Sequence, residues 1–212
     1  MSKSCVMELR AIIPKEAQHS IMAIIGNQYK PRLSFSKWLE HRRYATIEKE
    51  LKPMCKWVDF YDYLWSYSMF DFTNKSVLDI GSDIGSSAIF FLMNNANFVY
   101  LYDINKNYKA TYNRLKKQAY RNEIFRNSDW LNKNKLLSTD ADILKMDCEG
   151  CELQLLSDSL LRKYKEFSIA LHKPPLDNYQ FEKFKKLLEH HKGRYHGSVN
   201  NEEFVWLKIL KK

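Results

Sequence analysis

The chain has 212 residues, 45% of them hydrophobic, and a formal net charge of +9 at pH 7. That length suffices for one α/β domain with an extension and a sizeable core. No run of about 18 apolar residues occurs, which excludes a transmembrane helix; Met1–Arg10 lacks the uninterrupted apolar core of a secretory signal, so a cytoplasmic protein is expected.

Residues 5–70 predict mostly helix, punctuated by Pro14, Pro31 and Pro53 and by the turn pair Gly26-Asn27. The aromatic run Trp57–Phe70, wound as a helix, puts Phe60, Leu64 and Tyr67 on one face and Tyr61, Trp65 and Met69 on another. Packing against the sheet before the first strand is the expected use of this run, with a substrate wall as the alternative.

Ser76–Asp79 then reads as a strand, Gly81 and Gly85 as a tight turn, and Ala88–Met93 as the helix that follows. Strand, glycine turn and helix open a nucleotide-type binding unit. A dinucleotide fingerprint would be G-x-G-x-x-G, whereas this turn is D-x-G-x-x-x-G, with Asp79 at the strand end and Asp83 inside. Two carboxylates there would repel a pyrophosphate and suit a cation, such as the ammonium and sulfonium of S-adenosylmethionine. Phe98–Asp103 reads as a second buried strand ending in an acid, 22 positions after Gly81. That is close to the ~20 expected of a carboxylate that accepts ribose hydroxyls.

Residues 104–135 carry nine basic side chains against Glu123 and Asp129, with Tyr108, Tyr112, Tyr120, Phe125 and Trp130 interleaved. Such a stretch contacts phosphates and stacks on bases, or is a solvated outer helix; the same field serves an anionic small substrate.

Ala141–Asp147 is a third strand, and Cys148–Glu152 leads into a helix over 153–161. Ligands in open α/β sheets sit beyond the carboxyl ends of the strands, so Asp79, Asp103 and Asp147 should converge. Glu149 and Glu152 are read either as chemical groups or as acids favourable on a first helical turn. Cys148 and Cys151 form a lone C-x-x-C. A redox or zinc reading is open, but zinc would need two more ligands, and a disulfide is unusual in an ordinary cytosol though less so in a hyperthermophile, so the pair is read as small residues flanking Glu149-Gly150 at a helix start, with its redox state left open. Glu166–His172 is the next parallel strand, stopped by Lys173-Pro174-Pro175. His172 should lie beside Asp147 and is the expected general base, because an imidazole titrates near neutrality. Residues 178–192 predict a helix, and 195–199 and 204–210 two strands around Asn200-Asn201.

Asp79–Gly85 together with Leu144–Glu152 resembles the FkbM-like family of class I S-adenosylmethionine-dependent methyltransferases, which carry a D-x-G-x-x-x-G turn and a downstream K-x-D-x-E-G-x-E box. The resemblance covers roughly residues 57–210. It implies an α/β, Rossmann-like, doubly wound and mostly parallel seven-stranded sheet with an antiparallel C-terminal hairpin, in a methyltransferase domain over 57–212 behind a helical extension over 1–56. It implies O-methylation of a small-molecule or glycan hydroxyl, with S-adenosyl-L-methionine as cofactor. Carried over, Asp79, Gly81, Ser82 and Gly85 line the methionine end, Asp103 and Ile104 hold the ribose, Ser128 and Asp129 meet the adenine, and Asp147 sits near the methyl. Asp147, Glu149 and His172 are the expected catalytic groups; the three also resemble a hard-metal site, although no metal is assigned. An extension in such enzymes covers the active site or builds a homodimer contact. Two alternatives stand beside this reading: an RNA methyltransferase using the basic 104–135 stretch, and a non-catalytic binding protein on the same fold.

Overall fold

A computed structural model of the chain describes residues 44–45, 48–49, 60–103, 124–126, 137–199 and 201–210. The elements are α1 (Phe60–Tyr67), β1 (Ser76–Ile80), α2 (Ser86–Met93), β2 (Phe98–Tyr102), β3 (Ile124–Arg126), β4 (Ile143–Met146), α3 (Glu152–Leu155), α4 (Asp158–Lys163), β5 (Glu166–His172), α5 (Asn178–His190), β6 (Arg194–Val199) and β7 (Glu203–Lys208). The strands form one sheet in the order β3-β2-β1-β4-β5-β7-β6. β1 pairs in parallel with β2 and β4, and β5 in parallel with β4. β7 runs antiparallel between β5 and β6. Strand order reverses between β1 and β4, which makes the carboxyl ends of these two strands the switch point where ligands bind in open α/β sheets.

Both sheet faces are covered, and this explains the near-continuous apolar runs in the central strands. Val77, Val99, Ile143 and Ala170 face one layer, where Phe60, Leu64, Phe90 and Phe91 of α1 and α2 are buried. Leu78, Ile80, Leu144 and Ile169 face the other, with Leu155, Leu160, Phe184 and Leu188 of α3, α4 and α5. Phe60, Leu64, Trp65, Tyr67 and Phe70 of the aromatic run are thus core: Phe60 stacks on Tyr44 at 5.2 Å and meets Tyr63 edge-on at 5.3 Å. Tyr44 is fully buried although it precedes position 57, and Glu48 Oε2 accepts the Phe60 N–H at 3.3 Å. The remainder of the expected extension over 1–56 and the basic 104–135 stretch, apart from the three residues of β3, lie outside the described residues.

One local expectation is corrected and one open point is settled. The helix over 153–161 is two short helices, because Ser157 adopts an extended backbone and its side chain caps α4 through the Leu160 N–H. Serine competes for backbone donors in this way, which suits it to a helix start rather than a helix interior. Cys148 and Cys151 are joined in a disulfide, not free. The positive φ of Glu149 (48°) and Gly150 (123°) folds the C-x-x-C back on itself and brings the two Cα atoms to 5.5 Å, within disulfide reach. Among the described residues no helix is long and apolar enough to cross a membrane.

Candidate active site

The glycine turn begins where β1 ends. Gly81 has φ +79°, and a Cβ there would lie 1.7 Å from the Asp147 carbonyl oxygen, so glycine allows the ends of β1 and β4 to touch. The Gly81 N–H donates to the Tyr102 carbonyl at 2.8 Å, which ties the turn to β2. Asp83, at φ 45°, donates its N–H to Asp103 Oδ2 at 2.6 Å. The half-buried Asp103 carboxylate is therefore fixed against the turn, beyond the end of β2. Gly85, at φ 86°, caps the start of α2. Ser82 is 2% exposed, and its hydroxyl has no hydrogen-bond partner among the described residues.

Asp79 is not open to a ligand. It is fully buried, forms an ion pair with Lys145 Nζ at 2.9 Å and accepts from Ser87 Oγ at 2.6 Å. Lys145 also donates to the Gly81 carbonyl at 2.6 Å. Asp79 and Lys145 face each other in the β1–β4 register, so this pair fixes the turn from inside. Burial pushes the Asp79 carboxyl up, and Lys145 and Ser87 partly offset it. Burial works against the Lys145 ammonium, but the charges of Asp79, Asp147 and Asp103 outweigh it and hold Lys145 above its usual range.

Asp147, one residue beyond β4, and His172, at the end of β5, meet as expected: Nε2 lies 3.3 Å from Asp147 Oδ1. Two further acids join them. Glu152, fully buried at the start of α3, approaches His172 Nδ1 to 2.6 Å, and its other oxygen accepts the Gly150 N–H at 2.6 Å. Glu203 opens β7 directly opposite His172 in the antiparallel register, which puts both side chains on one face. One ligand atom each from Asp147, His172 and Glu203 lies within 4.8 Å of the others. Glu149 is exposed and is not brought into this cluster. Ile104, Ser128 and Asp129 lie outside the described residues.

The charges do not fit a free histidine base. Burial disfavours the imidazolium, but the Asp147 and Glu152 carboxylates outweigh it and hold the His172 pKa up at about 10. Both ring nitrogens are engaged, so this residue holds a proton at neutral pH rather than taking one. Burial also works against the Asp147 carboxylate, yet Lys145 and His172 carry it below its usual range. Glu203 is pushed up to about 8, mainly by burial and then by the charge of Asp147. From α1, Tyr63 shares a hydrogen bond with Ser86 Oγ at 2.5 Å, and burial raises both its phenol and that of Tyr67. The two phenols stay neutral beside the acids.

No family model matches the chain. It is 31% identical over 165 residues to "Uncharacterized protein 158B" of Sulfolobus islandicus rod-shaped virus 1, a match spanning 73% of this chain and 92% of the viral one. The chain belongs to the family of this viral protein. A second relative, "Uncharacterized protein 65" of the Sulfolobus islandicus filamentous virus, is 32% identical over 118 residues, 52% of this chain and 68% of that one. Solved structures that resemble the chain include methyltransferases. Precorrin-6y C5,15-methyltransferase of Geobacter metallireducens matches with a TM-score of 0.52 and 15% identity, covering 70% of this chain and 86% of that one. An O-methyltransferase family protein of Burkholderia thailandensis matches with a TM-score of 0.50 and 11% identity, over 76% and 56% of the two chains. The chain thus has an α/β Rossmann-like methyltransferase fold.

Glu203 and the Glu152–His172 contact were not read from the sequence as part of the site. The usable signal for Glu203 was the hairpin: folding about Asn200-Asn201 sets the start of β7 against the end of β5.

Proposed function

We propose that the chain is an S-adenosylmethionine-dependent methyltransferase acting on a hydroxyl oxygen of a small molecule or glycan. The observation that carries this reading is the Asp103 carboxylate, fixed by the Asp83 N–H against the glycine turn at the switch point of the sheet. The unpartnered Ser82 hydroxyl in the same turn fits a bound polar ligand. The motif resemblance of Asp79–Gly85 and Leu144–Glu152 to the FkbM-like family supports the same assignment, with residues 57–212 as the catalytic domain. Asp103 would bind the ribose hydroxyls, and Ser82 and the turn backbone between Gly81 and Gly85 would line the methionine end. Asp79 acts from behind, holding the turn through Lys145.

When bound, the cofactor would supply an electrophilic methyl on a sulfonium, with a neutral thioether as the leaving group. The chain's own part is positioning and exclusion of water. Asp147, kept charged by Lys145 and His172, would accept the hydrogen bond of the acceptor hydroxyl, aim its lone pair and receive the proton that the oxygen loses as it takes the methyl. Tyr63 and Tyr67 wall the site as neutral phenols. Asp103→Ala should weaken S-adenosylmethionine binding at least tenfold, a loss of about 1.4 kcal/mol; an unchanged dissociation constant by calorimetry would remove Asp103 from the site.

A further inference from the structure

We infer that Asp147, His172 and Glu203 form a site for one divalent cation, with Glu152 as the buried group that aims His172 into it. The inference deepens the methyl-transfer reading and depends on it only for the cation's role.

Three ligands come from the ends of three neighbouring strands, β4, β5 and β7, and their donor atoms lie within 4.8 Å of one another. Asp147 Oδ1 and His172 Nε2 are 3.3 Å apart. Two metal–ligand bonds of about 2.1 Å across that gap meet at roughly 100°, an ordinary angle at a metal. An independent feature points the same way. Glu152 is fully buried, anchored by the Gly150 N–H at 2.6 Å, and holds Nδ1 of His172 at 2.6 Å. A carboxylate behind a histidine fixes the ring and aims Nε2 at the site, which is how metal-binding histidines are held, and the incoming ion displaces the Nε2 proton, so that binding releases a proton. Lys145 is committed to Asp79 and the Gly81 carbonyl, so three carboxylates surround one imidazole.

One imidazole and two carboxylates favour a hard to borderline ion of the manganese(II) or magnesium class over a soft one. Three protein ligands leave coordination positions open. An acceptor hydroxyl taking one of them would be polarised and would lose its proton more readily.

A second group, Asp158, His190 and His191, also brings its ligand atoms together, but it is largely exposed and Asp158 already pairs with Arg162 at 2.6 Å. It provides the internal control. Manganese(II) is titrated into the chelator-stripped full chain and read by electron paramagnetic resonance. One ion should bind; Glu203→Gln and His172→Ala should each weaken it at least tenfold. Glu152→Gln should weaken it about 10–100-fold through the ring it holds, and His191→Ala should leave it unchanged. Absence of stoichiometric binding, affinity that follows His191→Ala, or affinity unchanged in Glu203→Gln would overturn the site. Glu203 is only half-buried, so its variant reads the site even where His172→Ala fails to fold. S-adenosylmethionine is titrated into the metal-free chain alongside. Cofactor binding without manganese binding sinks the metal site alone; manganese binding without cofactor binding sinks the methyl-transfer reading and leaves the site.

Discussion

Lys145→Ala is expected to destabilise the fold by about 3–5 kcal/mol, the usual cost of breaking a buried ion pair from one side. The Lys145 and Asp79 side chains are 4% and 0% exposed, so solvent screens the pair little. Removing the ammonium leaves Asp79 buried with the Ser87 hydroxyl donating to it, and takes the Lys145 donor from the Gly81 carbonyl. In a domain of this size the loss corresponds to a fall in Tm of roughly 6–20 °C. Denaturant unfolding of the variant measures it directly. Asp79→Asn in the Lys145→Ala background should recover part of the loss, because the uncompensated buried charge disappears. A cost below about 1 kcal/mol would mean that the pair does not anchor the turn.

Gly81→Ala carries the second large effect. The new Cβ would stand 1.7 Å from the Asp147 carbonyl oxygen and 2.8 Å from the Cys148 Cα, at φ +79°. The obstructing atoms are backbone and cannot swing aside, so β1 and β4 must separate just where the site is built. The expected cost exceeds about 4 kcal/mol, with loss of cofactor binding in whatever folds. Gly197→Ala is the useful comparison: its Cβ would meet Trp65 Cζ2 at 2.7 Å, a side-chain contact in the outer hairpin. That substitution should cost about 1–3 kcal/mol, as overpacking does. Equal stability of the two variants by thermal unfolding would contradict the assigned role of Gly81.

The parts of the fold that depend on local pattern were legible. β1, β2 and β5 appear within a residue of their expected ends, because each is an apolar run closed by glycine, an acid or proline. The convergence of Asp79, Asp103 and Asp147 on one end of the sheet also follows from the parallel register. What the sequence concealed depends on partners brought in from a distance. Asp79 looked like a ligand-facing acid, since nothing local shows that Lys145 arrives from β4 to neutralise it. His172 looked like a base until Glu152 and Asp147 occupied both ring nitrogens. Glu203 is an ordinary glutamate until the hairpin register sets it against His172. The disulfide escaped for a different reason: the rarity of disulfides in an ordinary cytosol weighed against it, while the backbone turn at Glu149-Gly150 that brings the two cysteines together is not visible in a lone C-x-x-C.

The central claim is the cofactor, and calorimetric titration of the full chain with S-adenosylmethionine and S-adenosylhomocysteine, with NAD as the control, tests it most directly. Binding of both adenosyl ligands at roughly micromolar dissociation constants, with no heat from NAD, is the result predicted. Binding of neither, or of NAD in their place, would contradict it.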